Sequence, residues 1–279
     1  MISISTTDFE QVLPFSGPMN EKGFQRMQEA FAIAYDEIEQ HLLGADVATA
    51  LDNTPSLLAK VKRLVILDAF LSQMHSRDIV LTDTGFGIVS NNQVAPASRE
   101  RVVALEAELI WRRDMTRQSV IDQCITISGW GNSSVAAEAI SHIFCFPRQL
   151  LAYTSKSNVR LGDGHVTYET LRECGDKISK AEGMLRQRMS ADMEAVILRK
   201  VRCNECTGQW MQLYVCCCRF IGAVIDGNHK AEEIFYEDVF NLLDSDEETF
   251  AAYHNSAAWK ANHAERYENN ACNKGYFFG

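Results

Sequence analysis

The chain has 279 residues, 46% hydrophobic and 23% charged, enough for one large domain or two modest ones around a core that needs no disulfide staples. Its formal net charge of −10 argues against a protein whose main task is wrapping nucleic acid, because neutralising phosphates needs a basic face. The opening stretch MISISTTDFEQVLPF lacks a basic segment followed by an apolar one, and no run approaches the roughly 18 apolar residues of a membrane span. A protein made in the cytoplasm, with no secretory signal and no membrane partner, is expected.

In chain order, residues 1–20 read as an extended arm, with Ile2 and Ile4 alternating with serines before Pro14, Gly17 and Pro18 break the chain. From Glu21, the residues Phe24, Met27, Phe31, Ile38 and Leu42 line one stripe of a helix, with Gly44 as its stop. Thr54 as cap and Pro55 at the first helical position predict the next helix over 55–77. Its residues Leu57, Val61, Leu64, Val65, Phe70, Leu71 and Met74 cover more than one face, which places it centrally in a bundle. A third helix is predicted from Ser98 to Ile127, with Val102, Leu105, Leu109, Val120 and Ile121 inward.

The stretch SGWGNSSV at 128–135 reads as a helix–helix turn capped by Ser133 or Ser134, followed by a short helix over 134–143 that Pro147 closes. The best strand candidate is SNVRLGDGHVTYE, where Asp163-Gly164 signals a hairpin between Val159, Leu161, Val166 and Tyr168. Residues 168–226 are predicted helical, as two helices meeting near Met189 with Ser190 as cap. Gly208 and Gly222 weaken the second, and Gly227-Asn228 ends it. A last helical region over 230–265 is broken near Asp244-Ser245-Asp246. The expected fold is mainly α: a helical bundle with long helices, extended terminal arms and at most one short β-hairpin. Its parts are an arm (1–20), an N-terminal bundle (21–145), a C-terminal helical region (146–268) and an aromatic tail (269–279).

Nine cysteines, three of them adjacent at 216–218, suit reduced thiols in a cytosolic protein. Cys203 and Cys206 form a C-x-x-C, but inside what reads as a helix, with no second such pair and no His between them and Cys216–Cys218. They are weak zinc candidates, and packing as small hydrophobes is the favoured reading. His41, His75, His142, His165, His229, His254 and His263 form no H-x-x-x-H pair. GNSS at 131–134 is not a G-x-S-x-G elbow, and the glycine-rich turn lacks a Walker lysine. The acidic run EEIFYEDVFNLLDSDEETF lacks the glycine of a calcium loop and reads as a solvated helix face. The basic groups Lys60, Lys62 and Arg63, Arg99 with Arg101, and Arg112 with Arg113 read the same way. No enzyme and no cofactor are expected.

The segment LTDTGFGIVSNNQVAPASRERV, residues 81–102, is built for backbone shape. Gly85 and Gly87 flank Phe86, the bulky group between them; Ile88 and Val89 can extend against Leu81; Asn91-Asn92 tolerates left-handed turns; Pro96 holds Ala95 extended; and Ser98 can cap the next helix. Asp83 is its sole acid before Glu100, and it has no His, Lys or Cys, so general acid–base chemistry has no proton carrier there. Gly85, Phe86, Gly87, Asn91 and Pro96 are therefore candidate interface residues. The terminal aromatics Tyr276, Phe277 and Phe278 join them, because exposed aromatics need a docking place, on the chain's own core or on a neighbouring subunit.

Leu81, Thr82, Gly85 to Asn91, Ala95 to Ser98 and Arg101 together resemble the pattern of an uncharacterised structural-protein family of Bacteroidetes phages and prophages. Such proteins look like head–tail connectors, or adaptors, of tailed phages. The resemblance implies a helical virion protein forming a ring, dodecameric by family analogy, between portal and tail or neck proteins, with DNA passing through without sequence-specific contact. The long C-terminal half exceeds a minimal adaptor. The alternatives are a non-virion helical assembly or regulatory protein that binds a protein partner and, further off, a cysteine-based metal protein.

Overall fold

The computed structural model describes residues 2–13, 21–74, 79–82, 85–88, 98–155 and 165–264. The chain is mainly α-helical, as the apolar spacings predict. Residues 14–20 and 265–279, the calls at Asn91 and Pro96, and Tyr276, Phe277 and Phe278 lie outside the described residues.

The N-terminal arm is not extended. Thr6–Val12 form a helix, α1, because Ser5 and Asp8 make a capping box: the Asp8 amide donates to Ser5 Oγ at 3.1 Å and the Ser5 amide donates to Asp8 Oδ2 at 2.9 Å. Phe9 and Leu13 then bury completely. The predicted first helix is α2 (Glu21–Ile38), whose last turn widens into a π-helical segment, Glu39–Leu43. The Trp130 indole donates to the Leu42 carbonyl of that segment at 3.0 Å, which satisfies a buried polar pair at a place where the ladder changes pitch.

A short α3 (Ala45–Ala50) leads to α4 (Pro55–Gln73), with Pro55 at its first position as predicted. Thr54 does not cap it; its Oγ1 donates to the Ala50 carbonyl at 3.5 Å instead. The helix is buried on several faces, from Leu57 and Val61 through Ile66 to Phe70.

Beyond α4 lie β1 (Ile79–Thr82) and β2 (Gly85–Ile88), paired antiparallel with Leu81 opposite Phe86 and Ile79 opposite Ile88. These two strands form a hairpin ribbon. The stretch predicted to hold a hairpin, around Asp163-Gly164, lies partly outside the described residues, and Tyr168 begins a helix rather than ending a strand.

Helix α5 (Arg99–Cys124) packs along α4, with Leu109, Val120 and Ile121 buried; Val102 and Leu105 are half-buried. Ser98 sits at its N-cap position but makes no capping bond. A 3-10 turn, Trp130–Asn132, precedes α6 (Ser134–Ala139), and Ser133 caps α6 by accepting from the Ala136 amide at 3.1 Å. Gly131 has no room for a side chain, since a Cβ there would lie 2.4 Å from the Arg202 carbonyl oxygen. Pro147 starts a helix, α7 (Pro147–Tyr153), rather than closing one; proline is tolerated at either place, and the cap partner Gln149 decides it.

Residues 168–226 hold four helices where two were predicted: α8 (Tyr168–Glu173), α9 (Gly175–Met189), α10 (Ala191–Arg202) and α11 (Gln209–Asp226). Ser190 caps α10 as predicted, accepting from the Met193 amide at 3.2 Å. Helices α12 (His229–Asp244), α13 (Ala251–His254) and α14 (Ala257–Asn262) are the last helices among the described residues, broken after Asp244 as expected.

Two apolar cores result. The first gathers α1 to α6 around Phe9, Leu42 and Val65, and the second gathers α7 to α13 around Leu185, Phe220 and Phe240. The seam runs through residues 140–146: Ile140 and Phe146 belong to the first core, Ile143 and Phe144 to the second. Among the described residues no helix is long and apolar enough to cross a membrane.

Candidate functional site

Gly85, Phe86 and Gly87 fall in β2, in register with Thr82, Leu81 and Val80. By the two-residue period of a strand, positions 79, 81, 86 and 88 share one face of the ribbon, while 80, 82, 85 and 87 share the other. Large apolar residue types thus occupy one face, and the glycines the other. Among the described residues the ribbon has two strands, so each strand keeps one edge without a partner strand. Such edges are templates for a strand of another chain, and a two-stranded ribbon alone is marginal in water.

Cys203 and Cys206 lie in the turn between α10 and α11, not within a helix. Cys203 Sγ lies 3.5 Å from Asn132 Oδ1, and Cys206 Sγ donates to the Trp210 carbonyl at 3.3 Å. Among the described residues no three His, Cys, Asp or Glu side chains are arranged to hold a metal ion. Cys217 and Cys218 are fully buried, and burial pushes the Cys218 thiol up to about 12. They pack as small hydrophobes in the second core.

Sequence reasoning missed the polar clasp on the seam. Glu182 of α9 is 2% exposed and accepts three bonds: from the Ile143 amide at 2.8 Å, the Phe144 amide at 3.2 Å and His142 Nδ1 at 2.6 Å. Gln149 of α7, also buried, accepts from the next two amides, Cys145 and Phe146, both at 2.7 Å, and its Nε2 donates to the Ile143 carbonyl at 2.7 Å and to the Tyr214 hydroxyl at 2.9 Å. Arg202 closes the other end with two bonds to the Ile140 carbonyl, at 2.9 and 2.7 Å. Four consecutive backbone donors in an irregular strap are thereby satisfied by two side chains. No local spacing announces this, because Glu182 lies about 40 residues from its partners along the chain.

The His142 ring is half exposed at its outer side, and its hydrogen bond to Glu182 raises its pKa above the ordinary 6.5, against an opposing desolvation effect. Because the folded value is raised, the bond's contribution to stability is fully present below pH 6.5 and fades as pH rises above it. Melting wild type and His142→Asn side by side from pH 5.5 to 8.5 should show the largest gap at the acid end, narrowing as pH increases. A gap that widens with pH would contradict the pairing.

A second tie joins the halves: Asp114 of α5, 1% exposed, accepts from the Tyr168 amide at 2.7 Å and from Arg113 Nη2 at 2.8 Å. Beside it opens a cleft of about 860 Å³ between α2, α4, α5 and α8. In it Arg113 lies 3.8 Å from Asp68, and His41 Nδ1 lies 3.2 Å from Glu138. Burial pushes the Asp68 carboxyl up to about 6, outweighing Arg113 and Arg117.

A family model described as a family of unknown function (DUF6712) matches residues 27–123. The matched span is roughly a third of the chain. It runs from α2 through almost all of α5 and so includes the hairpin. No curated protein and no solved structure matches the chain.

Proposed function

We propose that the protein is a virion structural component, a head–tail connector subunit that forms a ring between portal and tail or neck proteins, through which DNA passes without sequence-specific binding. The observation that carries the reading is the β1–β2 ribbon, which among the described residues keeps an unpaired edge on each strand and lies in the segment that resembles the phage family, between the two long helices α4 and α5. A rigid helical body with a strand pair open to augmentation suits a subunit that completes its sheet on a neighbour. The net charge of −10 favours passage of DNA over capture.

The test is the mass of the purified protein in solution together with its presence in assembled particles. A strictly monomeric chain that is absent from particles would end the proposal. Phe86→Ala is expected to weaken self-association by about tenfold or more, with the far-ultraviolet circular dichroism unchanged. Loss of helicity in that variant would instead make Phe86 a core residue of the monomer.

A further inference from the structure

Two clefts of about 400 and 420 Å³ adjoin along α4, one against α1 and the other against α5, and share Val12, Lys60 and Arg63. Their rim is basic: Lys60, Lys62 and Arg63 come from α4 and Arg112 from α5. Lys62 is partly neutralised by Asp8 at 3.0 Å and Arg112 by Glu108 at 2.6 Å, while Arg63 is exposed. The floor is apolar, with Val12, Leu58 and Met115 half-buried. At one end stands Trp111, its ring stacked on His165 at 4.3 Å. An apolar trough with a cationic rim, on a chain of net charge −10, recognises an acidic segment that carries an apolar residue.

The same chain displays such a segment. On α12, residues Glu233, Ile234, Glu237, Asp238 and Asn241 are all exposed, and their spacing puts them on one side of the helix. Ile234 is 51% exposed among these acids, and Met211 of α11, 45% exposed, also faces solvent on this unit. The opposite side of α12 buries Val239, Phe240 and Leu243 against the second core. One face is basic with an apolar floor and belongs to the first core. The other is acidic with an apolar knob and belongs to the second.

We infer that the α1–α4–α5 trough receives the outer face of α12 from a second copy of the chain, in a head-to-tail contact. This deepens the connector reading and rests on it: two different faces joined head to tail make a heterologous interface, which closes into a ring when the rotation between copies allows. Charge complementarity sets register and steers the encounter, and the apolar floor and Ile234 supply burial.

The test uses two full-length variants, a trough variant (Arg63→Glu with Arg112→Glu) and a face variant (Glu233→Lys with Asp238→Lys). Each is first shown to melt as wild type does, and sedimentation then reads the mass. Each alone is expected to self-associate at least about tenfold more weakly than wild type. Mixed in equal amounts they should assemble again, because each reversed trough meets a reversed face. Rising salt should weaken wild-type assembly. If both variants assemble as wild type does, this interface is overturned and the ring reading stands on the hairpin alone. If each is weakened but the mixture does not recover, the two faces are not partners and the inference fails. Charge-dependent assembly of a chain that is absent from particles would uphold the interface and remove the connector role. A labelled single-stranded oligonucleotide bound by wild type and lost in the trough variant, with assembly unchanged, would give the trough to nucleic acid and overturn the inference.

Discussion

Glu182→Leu is expected to destabilise the fold by about 4 kcal/mol, with a melting temperature lower by roughly 10 °C. The substitution removes the acceptor for the buried amides of Ile143 and Phe144 and for His142 Nδ1. A buried donor left without a partner costs about 1–3 kcal/mol, and two backbone donors are stranded here. Leucine fills much the same space and gains some apolar burial, worth roughly 1.5–3 kcal/mol when complete, but that gain needs an apolar surround. At this site three donor groups point at the side chain, so desolvation outweighs it. The damage also reaches both cores, because the strap that Glu182 holds carries Ile140 and Phe146 into one and Ile143 and Phe144 into the other. Glu182→Gln is the informative companion, since its amide oxygen can still accept from both backbone groups, and it should cost only about 1 kcal/mol. Chemical denaturation of the three proteins reads the difference. A Glu182→Leu protein within about 1 kcal/mol of wild type would mean that the clasp does not hold the strap.

What the sequence makes legible here is whatever has local period or local chemistry. The stripe from Phe24 to Leu42, Pro55 at a helix start, the Ser133 and Ser190 caps and the break after Asp244 all follow from spacings of a few residues. Capping could also have revealed α1: Ser5 and Asp8 stand three residues apart, but the Ile–Ser alternation just before them points to an extended chain. Pro147 is ambiguous in isolation, because proline both ends helices and begins them, and its role is set by Gln149 binding the amides of Cys145 and Phe146. Cys203 and Cys206 sit in a turn that sequence alone blends into one long apolar pattern, although Gly208 marks the break. The β1–β2 pair was not legible as a hairpin, because its turn carries no Asn-Gly or Asp-Gly signal and its second strand alternates glycine with large apolar residues; Asp163-Gly164 lies outside the described residues. The basic and acidic runs are visible in the sequence as charge, but the faces they form are not. Each is assembled by packing, the trough from α1, α4 and α5, and the acidic stripe by α12 burying its other side.

Gly222→Ala is expected to cost about 2–3 kcal/mol, against the usual direction for a glycine inside a helix. Gly222 lies inside α11, four residues before its end at Asp226, where alanine would ordinarily gain close to 1 kcal/mol of helix propensity. A Cβ at this position would stand 2.0 Å from the carbonyl oxygen of Tyr153, the last residue of α7, and 2.8 Å from its carbonyl carbon. These are backbone atoms, so no side-chain rotation relieves the clash, and the two helices must move apart by more than an ångström. That movement opens the second core at Leu150 and Phe220 and pulls on Gln149, which holds the seam strap. Overpacking of this kind costs about 1–3 kcal/mol and occasionally more, and it exceeds the propensity gain. Gly183→Ala supplies the control. It is also a helical glycine, on the exposed side of α9, and nothing lies within 4 Å of its added Cβ. Propensity alone then acts, and a stabilisation of about 0.5–1 kcal/mol is expected. Opposite signs for the two substitutions in thermal melts would locate the close approach of α7 and α11 at Gly222, and equal signs would remove it.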